Sequence, residues 1–135
     1  MTGDQPDDES QLVTLRKKVE GEPKTPSIIE GIGSGRLYAN LEKAKIDQVV
    51  EVSDEEAIQM CHFILKHEGF LVGGSSGINL CSAVRAARAL GPGKVIVSIM
   101  CDSGDKYLDQ QFTEAGLSKL GLSKAMNLDT LSFLK

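Results

Sequence analysis

The stretch FLVGGSSGINL, residues 70–80, decides how this chain is read. An apolar run enters Gly73 and Gly74, two serines and Gly77 follow, and apolar spacing then resumes. Glycine punctuates the end of an element and lets backbone approach a neighbour closely, while serine suits the mouth of a helix. The reading is a short strand that turns sharply into a helix, with the Ser75 hydroxyl at the junction. In open α/β sheets that junction, beyond the carboxyl end of a strand, is where ligands bind.

Working outward, strand and helix patterns alternate. Upstream, SDEEAIQMCHFILKHEG, residues 53–69, has helical period: Ser53 and Glu56 have capping-box spacing, Ile58, Cys61 and Leu65 share one face, and Gly69 supplies the stop. Before it, IDQVVEV (residues 46–52) is a brief β-branched run, and SIIEGIGSGR (residues 27–36) reads as a strand ending in a glycine loop. Downstream, Ser76 to Leu90 is an alanine-rich helix closed by Gly91, Pro92 and Gly93, and KVIVSIM, residues 94–100, is a continuous apolar run. Such runs belong to parallel strands covered on both faces. The expected fold class is therefore α/β, a three-layer fragment with a parallel sheet. Three segments are expected: an acidic, disordered tail over residues 1–26, the α/β domain over 27–112, and a loose extension over 113–135.

Composition bounds the function. The chain has 135 residues, is 41% hydrophobic and carries a net charge of −4, with its lysines and arginines spread along the sequence. That excludes the clustered basic face a nucleic-acid partner requires. No apolar stretch reaches the roughly 20 residues of a membrane span. Cys61, Cys81 and Cys101 are odd in number and far apart, and the first residues, MTGDQPDDES, lack the features of a secretory signal. The expectation is a cytoplasmic protein with reduced thiols and neither membrane nor nucleic-acid partners.

Several chemistries drop out. GIGSGR places Arg36 where a dinucleotide fingerprint needs glycine, and no Gly-Lys-Ser/Thr phosphate loop exists. His62 and His67 are five apart, which is not the i, i+4 spacing of a zinc pair. Cys61 falls on the apolar stripe and reads as core. Glu55 and Glu56 belong to a first helical turn, where negative charge suits the helix dipole. Glu42, Lys43 and Lys45 read as solvated surface.

Four blocks, IIEGIGSGRLYANL, IDQVVEVSDEEAI, LKHEGFLVGGSSGINLCSAVRAAR and IVSIMCDSGDKYL, occur in an order and spacing that resemble the carboxyl-terminal part of the cysteine synthase family. That family, O-acetylserine sulfhydrylase, stands with cystathionine β-synthase among the fold-type II pyridoxal-phosphate enzymes. The resemblance covers residues 27–122. It implies pyridoxal 5′-phosphate as cofactor, an amino-acid substrate, and replacement of the acetate of O-acetylserine by sulfide. It further implies that Ser75 donates a hydrogen bond to the pyridine nitrogen, with the Gly74 backbone beside the ring. A hydroxyl can serve an unprotonated nitrogen without charging the ring, which suits elimination and discourages transamination. Cys101 and Asp102 match the strand end under the ring, where Asp102 either orients the Ser75 hydroxyl or caps the next turn. Gly31, Ile32 and Gly33 match the loop on the substrate side. Ser76 is the expected helix cap, and Lys106 stands where many members carry arginine and is read as structural.

The departures are as informative. The family's Schiff-base lysine segment, its asparagine-bearing substrate loop and its glycine-threonine phosphate loop have no counterpart here, and upstream of Ser27 no resemblance is seen. The resemblance thus implies a truncated chain that does not catalyse alone, with a strand edge and apolar helix faces left uncovered. The alternative from a different class is a noncatalytic module that pairs with a full-length homologue. A homodimer, usual in the family, is the other partner expected.

Overall fold

The computed structural model describes residues 27–32, 38–122 and 126–134. They fall in two units: Ser27 with residues 31–32 and 38–50, and residues 28–30 with 51–122 and 126–134. The expected acidic tail, residues 1–26, and Gly33 lie outside the described residues.

The first unit holds one short helix, α1 (Ala39–Glu42), which buries none of its residues. Its turn is closed by the Leu41 and Glu42 N–H groups on the Tyr38 carbonyl, at 2.9 and 3.0 Å. Gly31 takes a left-handed conformation, φ 80°.

The second unit is built on two helices, α2 (Asp54–Glu68) and α3 (Gly74–Leu90), whose mutual packing is the largest between elements. At the start of α2 the Glu56 N–H donates to Ser53 Oγ at 3.2 Å, and the Ser53 N–H donates to Glu56 Oε2 at 3.0 Å. This reciprocal pair satisfies donors that a helix start leaves orphaned, and Gly69 ends the helix in the left-handed region, φ 75°. The buried face of α2 is Ala57, Ile58, Met60 and Cys61. Each fully buried aliphatic side chain there contributes on the order of 1.5–3 kcal/mol. Leu65, expected on this face, is instead exposed.

The two helices cross at Gly77. A Cβ there would lie 2.2 Å from the Ala57 carbonyl oxygen and 2.8 Å from Cys61 Sγ, so only glycine lets the backbones meet. Thiol hydrogen bonds from Cys61 to the Gly73 carbonyl (3.4 Å) and from Cys81 to the Glu56 carbonyl (3.5 Å) join the helices. An Arg85–Glu56 ion pair at 2.6 Å closes their other end, and Arg85 also donates to the Glu51 carbonyl at 2.8 Å.

Beyond α3 come a 3₁₀ turn (Gly104–Tyr107), a π turn (Leu108–Phe112) and a short helix, α4 (Glu114–Lys119). Met60, Cys81 and Leu134 form a core cluster, against which Val52, Phe63, Leu80, Val84, Leu131 and Phe133 pack. Where sequence suggested a loose extension, Leu131, Phe133 and Leu134 therefore bury apolar surface. Arg88 donates to the Leu134 and Leu131 carbonyls, each at 3.2 Å, and holds the segment in place. Both histidines are spent on the same kind of fastening. His62 Nε2 donates to the Gln111 carbonyl (2.7 Å) and His67 Nε2 to the Leu128 carbonyl (2.6 Å).

The α/β expectation, a three-layer fragment with a parallel sheet, is not met. Among the described residues there is no strand ladder, only one isolated antiparallel bridge between Val72 and Ser103. The runs at residues 46–52, 70–73 and 94–100 have strand composition, but a ladder needs a neighbouring backbone to take every N–H and C=O. No ladder joins these runs among the described residues, and Val95 and Val97 are almost fully exposed, the opposite of a strand covered on both faces. Helix α3 also begins two residues earlier than expected, with Gly73 rather than Ser76 as its N-cap. No helix among the described residues is long and apolar enough to cross a membrane.

Candidate functional site

The junction at the start of α3 brings together two segments that sequence placed in separate loops. The Gly73 N–H donates to the Asp102 carbonyl at 3.0 Å, and the Cys101 N–H donates to Ser76 Oγ at 2.8 Å. These two bonds clamp residues 73–76 to residues 101–102. The bridge between Val72 and Ser103 and the Gly104 N–H on the Leu71 carbonyl (3.1 Å) continue the clamp on either side.

The paired serines divide the work. Ser76 is fully buried and its hydroxyl is committed to Cys101, so it does not cap α3 as expected. Ser75 is half-buried, and its hydroxyl makes no hydrogen bond among the described residues. Because α3 has no side-chain cap, the first N–H groups of the helix point out at the same corner, adding the positive end of a 17-residue helix. The corner thus offers one free hydroxyl donor beside unpaired backbone donors.

Its walls are made by contact rather than by turn geometry. A Cβ on Gly73 would meet Asp102 Oδ1 at 2.6 Å and the Tyr107 ring at 2.8 Å, and one on Gly74 would meet the Ile29 side chain at 2.9 Å. Ile29, itself buried, is positioned by its neighbour Ile28, whose N–H donates to Asp54 Oδ2 at 2.8 Å.

Asp102 does not orient Ser75, and the 3₁₀ turn that follows it has no side-chain cap, so neither expected role is filled. Its Oδ2 accepts from the Tyr107 hydroxyl at 2.8 Å and pairs with Lys106 Nζ at 3.6 Å. The bond to the carboxylate raises the Tyr107 pKa, because the phenol must keep its proton to donate. Tyr107 was missed by the sequence reading. Its signal, an aromatic five residues beyond Asp102, becomes legible only when the 3₁₀ turn folds it back. Lys106 is mostly exposed, and its ammonium pairs with Asp102, four residues before it.

Cys101 is exposed; its Sγ accepts from Asn79 Nδ2 at 3.5 Å. The other two thiols are inert by environment. Burial pushes Cys61 up to about 12, and burial with the adjacent Glu56 does the same for Cys81. No group of three or more metal-ligating side chains is found among the described residues. Of the expected substrate-side residues, Gly31 and Ile32 belong to the first unit, where Ile32 is exposed, and Gly33 is outside the described residues.

Comparison with known proteins bears on this corner. Residues 2–102 match the family described as pyridoxal-phosphate dependent enzyme. The match takes in the segment ahead of Ser27, where the sequence reading saw no resemblance, and ends at Asp102. Among individual proteins, the chain is 38% identical over 109 residues to a cysteine synthase of Dictyostelium discoideum, covering 81% of this chain and 29% of that protein. It is 39% identical over 95 residues to cysteine synthase 2 of Schizosaccharomyces pombe, covering 69% and 24%. It is 34% identical over 88 residues to a cysteine synthase of Staphylococcus aureus, covering 65% and 28%. The chain spans less than a third of the length of these curated relatives.

Proposed function

Because this chain belongs to the pyridoxal-phosphate dependent enzyme family, we propose that it carries the cofactor-ring corner of a cysteine synthase, with Ser75 as donor to the pyridine nitrogen. The reaction proposed is replacement of the acetate of O-acetylserine by sulfide, giving cysteine and free acetate. The observation that carries the reading is the contrast between two adjacent hydroxyls: Ser76 is buried and bonded, while Ser75 is half-buried and free to donate.

The residues at the corner fit a flat heteroaromatic ring. Ser75 presents its hydroxyl and the helix its first N–H groups at this corner, and the two clamp bonds, Gly73 to Asp102 and Cys101 to Ser76, fix the corner in place. When bound, the cofactor supplies a conjugated ring that withdraws electrons from the substrate's α carbon. Ser75 donates a hydrogen bond to the ring nitrogen and leaves it uncharged. The Asp102 carboxylate is taken by the Tyr107 hydroxyl and the Lys106 ammonium rather than by Ser75. Gly31, Ile32 and Gly33 are proposed to border the amino-acid substrate. The three cysteines are unpaired, which suits the reducing cytoplasm as the chain's location.

No segment of the sequence matches the family's cofactor-anchoring lysine, so the 135 residues by themselves are expected to be catalytically silent. The test uses pyridoxine 5′-phosphate, which has the ring and phosphate but no aldehyde to form an imine. Titrated into the labelled chain, it should shift the amide resonances of Gly74, Ser75 and Cys101, and Ser75→Ala should abolish those shifts. Shifts confined to other residues would refute the assignment of Ser75. Separately, pyridoxal phosphate followed by borohydride should leave no stoichiometric adduct on any one lysine, and such an adduct with cysteine formation would refute the silence of the chain.

A further inference from the structure

Helix α3 starts on Gly73 and has no side-chain cap, yet a carboxylate stands at its mouth. A Cβ on Gly73 would lie 2.6 Å from Asp102 Oδ1, within the reach at which a capping aspartate holds its own oxygen. The carboxylate arrives from another segment, held there by the bond from the Gly73 N–H to the Asp102 carbonyl at 3.0 Å. Its two partners both fall on the other oxygen: the Tyr107 hydroxyl donates to Oδ2 at 2.8 Å, and Lys106 Nζ pairs with it at 3.6 Å. Oδ1 has no hydrogen bond among the described residues, and takes none from α3. It acts on the helix start through charge alone.

That charge matters because of what the proposed ligand carries; the inference rests on the reading of Ser75 as donor to a ring nitrogen. A phosphorylated pyridine has two ends that accept hydrogen bonds, a dianionic phosphate and a neutral ring nitrogen. The uncapped start of a 17-residue helix favours the anion, and a cation beside it favours the anion further. Phosphate would then take the N–H groups of Gly74 and Ser75 in place of the ring. A fixed negative charge at the same point opposes the dianion and leaves an uncharged nitrogen unaffected. The side chain of Asp102 is 25% exposed and that of Lys106 62%, so the carboxylate is the less screened of the two charges.

We propose that Asp102 is a specificity-determining residue of this corner: its carboxylate keeps phosphate from the start of α3, so that a phosphorylated pyridine enters ring nitrogen first. Tyr107 is the positioning residue behind it. Its ring would lie 2.8 Å from the same Cβ on Gly73, so the phenol packs against the helix start while its hydroxyl fixes the carboxylate. Lys106, paired with that carboxylate, is withheld from any incoming anion. Removing the carboxylate uncovers the helix start and the lysine together.

The test uses inorganic phosphate, which has no ring. Titrated from about 0.5 to 50 mM into the labelled full chain, it should give the wild type no saturating shift at the Gly74 and Ser75 amides. Asp102→Asn keeps the shape and an acceptor for Tyr107, and should bind phosphate there about tenfold more tightly or better. Sodium chloride at about 1 M should remove most of that gain, as a charge effect requires. Tyr107→Phe keeps the charge but loses its anchor, and should fall between the two. Asp102→Asn with Lys106→Gln should still bind phosphate more tightly than Lys106→Gln alone. The proposal is overturned by a wild type that binds phosphate at these amides as tightly as Asp102→Asn, or by an Asp102→Asn chain whose other amides are unmoved and which gains nothing. A Tyr107→Phe chain equal to Asp102→Asn, or a gain that vanishes with Lys106→Gln, overturns it as well. Failure of Ser75 as donor reads differently: the pyridoxine 5′-phosphate shifts would be lost while the contrast in phosphate binding stood.

Discussion

The two ends of α3 are both glycine-rich, and they use glycine for opposite reasons. At the amino end, Gly73, Gly74 and Gly77 have no left-handed backbone; what excludes a side chain is the neighbour, at 2.6, 2.9 and 2.2 Å from the Cβ each would carry. At the carboxyl end, Gly91 has nothing within 4 Å, but its φ of 77° with ψ of −176° is a conformation open to glycine almost alone. The first end is shaped by what packs against it. The second is shaped by its own backbone, and the chain beyond it is left open to solvent.

The largest test of this contrast is Gly77→Ala. With the Ala57 carbonyl in the way, the helices must separate, at a cost of about 3 kcal/mol or more. Urea titration should show a lower midpoint, and a change under about 1 kcal/mol would mean the helices do not meet at Gly77. Next comes alkaline pH, which acts through the thiols buried at the same packed end. From an ordinary thiol value of 9.0, burial pushes Cys61 and Cys81 up to about 12 in the folded chain. Above the first value the unfolded state binds fewer protons than the folded one, so stability falls as pH rises through this window. The loss is at most about 1.4 kcal/mol per pH unit for each thiol. Cys61→Ala should remove its share of the slope in urea melts at a series of alkaline pH values.

At the open end, Gly91→Ala should cost about 2 kcal/mol from backbone strain alone, and Asn at 91 should cost about the same, since no neighbour responds to side-chain size. The smallest pair sharpens the comparison inside the packed end. Ser76→Ala strands the Cys101 N–H and should cost about 1–1.5 kcal/mol. Ser75→Ala breaks no bond in this structure and should change the unfolding free energy by less than about 0.5 kcal/mol. Equal costs for the two serines would erase the distinction on which the proposed cofactor contact rests.

Much of the helical framework was legible in advance. Ser53 and Glu56 signal a capping box, Gly69 a left-handed stop, and Gly91 the end of α3, because each acts through its own few neighbours in sequence. Residues 94–100 were misread as a covered strand because their composition reports what such a segment can do, while a ladder depends on another backbone being beside it. Ser76 was misassigned for a similar reason: its partner, Cys101, is distant in sequence. The Tyr107–Asp102 bond and the burial of Leu131, Phe133 and Leu134 likewise left no local pattern to read.

The amino-acid sequence by itself determined the two main helices, their stops, the family and the position of a serine pair at the mouth of α3, since short-range hydrogen bonding and periodic burial are written in adjacent residues. Only the tertiary structure decided which of the two serines is bound and which is free, that the runs of strand composition stay unpaired, and that Gly73, Gly74 and Gly77 are required by their neighbours. Those outcomes depend on which distant groups arrive within about 3 Å of one another, and that follows from the packing of α2 on α3 rather than from any local propensity.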